Sequence, residues 1–488
     1  MTRAFLTALV LACTGCGGDV DLGGGPSGGG GATSGGVGGT QTGTGGAVSG
    51  GGGSAAGGSA GTGASGGVAP VACGGLKRTG DPIAISNDDE SAFPTLVRVS
   101  SGAAVVYRRA GLGPPPGFEV LSPAWSDPWT GAWGPPPPTS NKLTGLSNVY
   151  EHTVQAAEGA IAGSVVVLHP SADNACMSLS RVIPKLETLA GFGCPPPMFT
   201  HGPNPSALVA APAAPSGGET YVAASVTGYG GAIPTNYQLN VARVDVPAKG
   251  APGSVTSPFD ALGCATAAMY ARAWRSPTAG VVMALTTSRP FLSCLEDQYA
   301  DGPPTRLQIV GFGPGTDLTK TQLLHELVLP HAILSLAIAP RSGGGAWVVF
   351  QAATGTSTTS PPGPVQALAL DASGKPTTSI KSVASGPTGL GPSAPASYAA
   401  TALGNRLVVA GSWDSSDCKW CPGLRIYVVD ESSPDNAPPM LVAAPSSVMI
   451  SSPISLLASP DGARLIAAYS DWTGNPTDVW AERFECVP

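Results

Sequence analysis

From Cys73 onward, apolar positions fall in short runs and not at helical spacing. The runs are rich in Val, Ala, Leu, Ile and Tyr, and clusters of Gly, Pro, Ser, Asn and Asp separate them, which is the pattern of strands and turns. The strongest recur as "AAVVYRRA" from Ala103, "SVVVLH" from Ser164, "TYVAASV" from Thr220 and "GVVMALTT" from Gly280. "AWVVFQAA" from Ala346, "RLVVAGSW" from Arg406 and "RLIAAYSDW" from Arg464 continue the series. Successive starts differ by 61, 56, 60, 66, 60 and 58 residues, a repeat of about sixty. Each unit divides further. The fifth reads "ILSLAIAP", "AWVVFQAA", "VQALALDASG" and "PTTSIKSVAS", four strands joined by turns.

Seven units of four antiparallel strands predict an all-β fold, a seven-bladed β-propeller, in which radial repetition leaves only short edges exposed. The last unit supplies three strands, "PISLLAS", "RLIAAYSDW" and "VWAERFECV". "DPIAIS", Asp81 to Ser86, is available as the missing fourth, so an N-terminal strand is expected to complete the last blade. A pair of β-sandwiches, the rival arrangement, leaves a period sustained seven times unexplained.

The first 72 residues follow another pattern. "MTRAFLTALVLACTGCGG" has a short positive start at Arg3 and an apolar stretch from Ala4 to Ala12, an export signal too short to span a bilayer. Its end resembles the lipobox of bacterial lipoproteins, whose cysteine is lipidated after cleavage. Cys16, preceded by Thr14-Gly15, is the expected attachment site, with Cys13 as the alternative. The resemblance implies a cell-envelope protein of the outer membrane, anchored by acyl chains only; secretion is the alternative. Residues 17–72 are Gly/Ser/Thr-rich without periodicity and read as a disordered tether of roughly 40 Å typical reach. The propeller domain is then 73–488. Net charge is −7 and only 11% of residues are charged, which excludes the basic surplus of a nucleic-acid binder and favours a soluble monomer.

Ten cysteines less Cys13 and Cys16 leave eight in an oxidising compartment, enough for four disulfides. In a propeller, the turns between second and third strands share one end with the connections between blades. The other two hairpin turns open at the opposite end. That geometry pairs Cys176 with Cys194 and Cys264 with Cys294 on the first end. It pairs Cys73 with Cys486 on the second, which locks the ring. Cys418 and Cys421 remain for each other. In "DSSDCKWCPG" they read as a loop clip: a zinc site lacks two further ligands, and a redox pair wants a helix N-terminus.

"HELVLPH", with His325, Glu326 and His331, misses the zinc motif, because its histidines are six apart with Pro330 between them. "GFGPG" from Gly311 has no following helix and reads as a hairpin turn. No cofactor is expected. Asp88 and Asp89 in "SNDDES" lie in a loop that opens at the same end as the turns between second and third strands, and read as a solvated turn, with a polar ligand or Ca²⁺ as the weaker, binding reading. Trp413, Asp414 and Trp420 in the sixth unit, and Asp471 and Trp472 in the seventh, fall on neighbouring turns at the same end. A flat apolar surface beside oriented acceptors suits sugar or peptide recognition.

"SPAWSDPWTGAWGPP", Ser122 to Pro136, resembles a worn sialidase-type repeat, in which a tight turn precedes a tryptophan. The family's S-x-D-x-G-x-T-W spacing is not met, its N-terminal arginine motif is absent, and no catalytic residue carries over. The expected function is therefore a binding or scaffold module for a glycan, a peptide or an envelope protein. The alternative is a glycoside hydrolase or lyase using paired carboxylates on the same face, which needs two acids about 5–10 Å apart.

Overall fold

In the computed structural model, the described residues run from Cys73 to Val487. The longer stretches left out are 87–90, 111–117, 135–153, 172–175, 193–202, 212–217, 230–235, 249–252, 257–269, 289–302, 313–320, 385–397, 433–439, 444–449 and 472–477. All described residues belong to the compact unit Ser65–Pro488. They contain no helix, and so none that is long and apolar enough to cross a membrane.

Two short strands open the domain, β1 (Gly75–Arg78) and β2 (Ile83–Ala84). Then follow β3 (Ser91–Val99), β4 (Gly102–Ala110), β5 (Phe118–Leu121) and β6 (Ala124–Trp125). A second group is β7 (Gln155–Glu158), β8 (Val165–Pro170), β9 (Met177–Ile183) and β10 (Glu187–Phe192). A third is β11 (Pro203–Ala210), β12 (Glu219–Tyr229), β13 (Asn236–Val246) and β14 (Ser254–Thr256). A fourth is β15 (Tyr270–Ser276), β16 (Gly280–Thr287), β17 (Arg306–Gly311) and β18 (Gln322–Val328). A fifth is β19 (Ile333–Pro340), β20 (Ala346–Ala353), β21 (Pro362–Leu370) and β22 (Lys381–Ala384). A sixth is β23 (Tyr398–Leu403), β24 (Arg406–Ser415), β25 (Cys418–Val429) and β26 (Met440–Ala443). The last strands are β27 (Ile450–Ala458), β28 (Arg464–Asp471) and β29 (Asp478–Val487).

Among the described residues each group is one antiparallel sheet, with strands adjacent in chain order. The first strands also neighbour one another in succession, β3 against β7, then β11, β15, β19, β23 and β27, and β27 returns to β3. The arrangement is all-β and consistent with a propeller. Its logic lies in the second strands. β8, β16 and β20 are buried at every position, because each is sandwiched between neighbouring sheets. That explains why the seven strongest apolar runs do not alternate with polar residues. Core clusters fill the spaces between successive sheets; one joins Val105 and Tyr107 of β4 to Ile466 and Ala468 of β28, so the last sheet packs on the first. An Asp at Val348, buried between the fourth and fifth sheets, would place an unpaired carboxylate in such a seam.

Two elements differ from expectation. The strand added to the last sheet is split and begins earlier than Asp81–Ser86. β1 pairs with β29 from Gly75↔Val487 to Arg78↔Phe484, and β2 pairs with it at Ile83↔Ala481. Lys77 and Arg78 disguise β1 as a loop in the sequence, yet Arg78 is at home there. Its guanidinium meets the buried Glu482 carboxylate at 2.8 Å, and Tyr469 donates to the other carboxylate oxygen at 2.6 Å. The Cys73–Cys486 disulfide spans 413 residues and fastens the same seam. In the first sheet, β6 does not form a fourth strand but continues the line of β5 along β4, with Ala104↔Ala124 following Tyr107↔Leu121.

The turn after β6 bears on the Asp127–Trp133 resemblance. Asp127 accepts a hydrogen bond from Thr130 N at 2.9 Å and another from the Thr130 hydroxyl. Trp133 Nε1 donates to Asp81 O at 2.9 Å, and the Arg483 guanidinium lies 5.1 Å from the Trp133 ring centre. The motif is therefore a tight Asp turn whose tryptophan rests against the last sheet and its added strand.

Candidate functional site

The strands divide the ring into two ends. Turns from first to second strands, and from third to fourth, lie at one end, here the turn end. Turns from second to third strands and the connections between sheets lie at the other, the loop end.

The turn end is a set of capped hairpins. Asp371 accepts from Ser373 N at 2.8 Å, Ser373 Oγ at 2.7 Å and Lys375 N at 2.9 Å. Asp430 accepts from Ser432 N at 2.9 Å and Oγ at 2.6 Å, and Asp461 from Ala463 N at 3.0 Å. These three carboxyls and Asp127 are all held below the usual range. For Asp127 and Asp430 the main cause is the hydroxyl of Thr130 or Ser432. For Asp371 and Asp461, burial pushes upward and the turn hydrogen bonds outweigh it. Cations bridge neighbouring sheets at this end: Arg181 pairs with Glu219, and Arg341 with Glu431. Carboxylates so tied down serve structure and not acid–base chemistry.

The loop end carries a different constellation, built on the starts of first strands. Tyr270 and Arg272 stand on β15, Ser335 on β19 and Tyr398 on β23. Arg272 Nη1 donates to Ser206 O of β11 and to Ala271 O, both at 2.8 Å. Ser335 Oγ donates to Tyr398 Oη at 3.1 Å, and that phenol donates to Val349 O of β20 at 3.2 Å. Burial pushes the Tyr398 phenol up, so it is protonated and neutral at ordinary pH, with the Ser335 bond and the Arg272 charge pulling the other way. Burial likewise lowers Arg272, whose electrostatic neighbours are the phenols of Tyr398 and Tyr270. One guanidinium and two phenols, from the fourth and sixth sheets, are thus electrostatic neighbours near the starts of their first strands. Sequence reasoning missed them. They are spread over distant repeats, and the only signal was an arginine inside the first-strand pattern "YARAWRS".

Of the residues expected at this end, Asp88, Asp89, Trp472 and the cysteines Cys194, Cys264 and Cys294 lie outside the described residues, as do Cys13 and Cys16. Asp471 ends β28, opposite Asp478. Trp413 and Asp414 lie in β24 opposite Gly423 and Pro422, and Ser415 faces Cys418. Between those pairs Lys419, Trp420 and Cys421 form a bulge, so the two cysteines belong to a bulged strand end and not to a simple turn. Cys176 is disulfide-bonded, and its predicted partner is outside the described residues. His325 is in β18 opposite Ile309, a strand geometry that separates it from any helical zinc motif. His169 is buried, with Nδ1 2.7 Å from Pro170 O and Nε2 2.9 Å from Ser180 Oγ. Burial lowers its pKa to about 4, and with no route to solvent the pair is structural. Among the described residues, no three His, Cys, Asp or Glu side chains converge as a metal ion requires.

No family model and no curated protein matches the sequence. Solved structures similar to it include an α-L-arabinanase of Penicillium chrysogenum complexed with arabinobiose, at 9% identity and a TM-score of 0.43, covering 83% of this chain and 98% of that one. An α-L-arabinofuranosidase of Fusarium graminearum with an iminosugar inhibitor gives 12% identity and 0.42, covering 84% and 98%. A Trypanosoma rangeli sialidase with 2,3-difluorosialic acid gives 10% and 0.39, covering 84% of this chain and 57% of that one. At these values no residue or substrate is transferred. They do correct one expectation. The similar structures are glycoside-cleaving enzymes, which stands against the expected non-enzymatic binding or scaffold module, and that expectation is not kept.

Proposed function

We propose that the domain is a glycoside hydrolase, working at the loop end of a seven-bladed propeller that its N-terminal strand closes. The observation that carries this reading is the clustering of Tyr270, Arg272, Ser335 and Tyr398 near the starts of three neighbouring first strands. Fixed hydrogen-bonding groups from separate rigid strands suit a polyhydroxylated ring, because each strand contributes a donor or acceptor held by its own packing. Glycosidic cleavage also needs two carboxyls, one to protonate the leaving oxygen and one to act as nucleophile or base. Asp88, Asp89, Asp414 and Asp471 are the candidates that sequence position assigns to this end, with Trp413, Trp420 and Trp472 as stacking surfaces for sugar rings. Lipidation at Cys16 and the tether of residues 17–72 would hold the enzyme on the envelope and within reach of extended polysaccharide.

The test is release of reducing ends from a polysaccharide panel by the exported protein. Asp88→Asn, Asp89→Asn, Asp414→Asn and Asp471→Asn follow on whichever substrate is cut. Two of the four should lose at least about a hundredfold in kcat, the scale of general acid–base catalysis. If no polysaccharide is cut, the reading fails.

A further inference from the structure

At the turn end, the second sheet carries two exposed apolar tips. One is the β7–β8 hairpin, where Ala160, Ile161 and Ala162 face solvent and Ile161 is 51% exposed. The other is the β9–β10 turn, with Pro184, Lys185 and Leu186 exposed, the last by 38%. A polar relay braces both. Ala160 N donates to Tyr221 Oη at 3.2 Å, and that phenol donates to Glu219. Glu219 pairs with Arg181, and Arg181 pairs with Glu187, the residue after Leu186. The base of one tip is thus linked to the base of the other through three side chains. A single exposed Ile or Leu is ordinary, but two braced from one network stay presented to whatever lies beyond them.

What lies beyond depends on where the preceding chain joins the domain. Cys73 is bonded to Cys486, near the end of β29, and third strands end at the turn end. Residues 1–72 therefore join the domain at the end that carries the tips. We propose that this end is a membrane-contact face, on which Ile161 and Leu186 enter the headgroup layer of a phospholipid surface. Lys185, beside Leu186, would lay its stem on the acyl boundary and its ammonium among the phosphates. The proposal rests on the reading of Cys16 as acylated. A leash makes the surface an intramolecular partner at high effective concentration, so two apolar side chains suffice where a free protein would need more. The consequence is orientation. With the turn end on the lipid, the loop end, where Tyr270 and Tyr398 stand, faces the polysaccharide.

The experiment places the exported full chain on vesicles of phosphatidylethanolamine and phosphatidylglycerol with brominated acyl chains, and mass spectrometry reads whether Cys16 carries lipid. A fluorophore is attached to Ala162→Cys or to Val328→Cys, an exposed position at the loop end, with the parent chain as blank. The bromines should quench the first label and not the second. Adding Ile161→Ser and Leu186→Ser, both at exposed positions, should lower the ratio of docked to undocked protein at least about tenfold. Equal quenching at the two labels, no quenching at Ala162→Cys, or quenching unmoved by the serine changes would overturn the face, whatever the state of Cys16. Self-association in solution that the serine changes abolish, without quenching, would assign the tips to a second copy and overturn the lipid assignment. Selective quenching in protein without acyl chains leaves the face standing and sinks the Cys16 reading. Acylated protein without quenching does the reverse.

Discussion

Arg98 and Arg272 stand on equivalent first strands at opposite ends of the ring, and the contrast between them runs through the whole domain. Around Arg98, charges are matched: Glu158 and Asp461 face it, and elsewhere at the same end Arg181–Glu219 and Arg341–Glu431 tie neighbouring sheets together. Among the described residues, the partners of Arg272 are neutral: the carbonyls of Ser206 and Ala271 and the phenols of Tyr270 and Tyr398. One end has used its polar groups to hold the sheets in place. At the other end, among the described residues, Arg272 is held by backbone carbonyls and not by a carboxylate. The division resembles that of folds in which a rigid scaffold carries variable loops.

That division can be tested by damaging each end and reading the other. The largest effect is expected at the seam of the turn end. Replacing Cys73 and Cys486 with serine releases a loop of 413 residues and should lower stability by about 5 kcal/mol, less if the reduced chain keeps residual structure. Denaturant titration reads this, and glycan affinity measured well below the transition should not move. Arg78→Leu comes next. It leaves Glu482 buried without its cation and should cost about 3 kcal/mol, again with binding unchanged. A loss of affinity at either seam variant would break the separation of the two ends.

Acid should strike the loop end first. His169, at the end of β8, has a folded-state pKa of about 4 against an ordinary 6.5. The unfolded chain therefore binds more protons between these values. The neutral imidazole's contribution is fully present above pH 6.5 and is lost as pH falls to about 4, some 3 kcal/mol in all. His169→Gln should flatten that slope, which urea unfolding at successive pH values would measure. The smallest effect is expected for Asp127→Ala. Its turn is exposed, and the change should stay within the scatter of surface substitutions, visible as faster amide exchange at Thr130 before any shift in midpoint.

Much of the scaffold is legible in the sequence, and for a definite reason. A strand buried on both faces needs apolar residues at every position, so β8, β16 and β20 stand out against any turn. β1 does not, since an edge strand is partly polar, and Arg78 finds its counter-charge only after β29 is in place. The site is harder still. Tyr270, Ser335 and Tyr398 lie in three repeats, and each looks unremarkable in its own strand. Only the side-by-side packing of β15, β19 and β23 makes them neighbours. The Trp–Asp stretches of the sixth and seventh units draw the eye because they are local, and local patterns are what a sequence displays most readily.

The Cys73–Cys486 bond also has a mechanical meaning. Tension drawn along residues 1–72 would enter the domain at Cys73, the residue immediately before the β1 segment. Without the bond, that load would act on the hydrogen bonds between β1 and β29, which could peel apart in turn. With it, the force crosses to the last sheet through a covalent link, and Arg406 grips the Cys73 carbonyl beside it. Any pull on Cys73 from the chain before it is thereby diverted from the zipper, and the last sheet keeps its added strand under load.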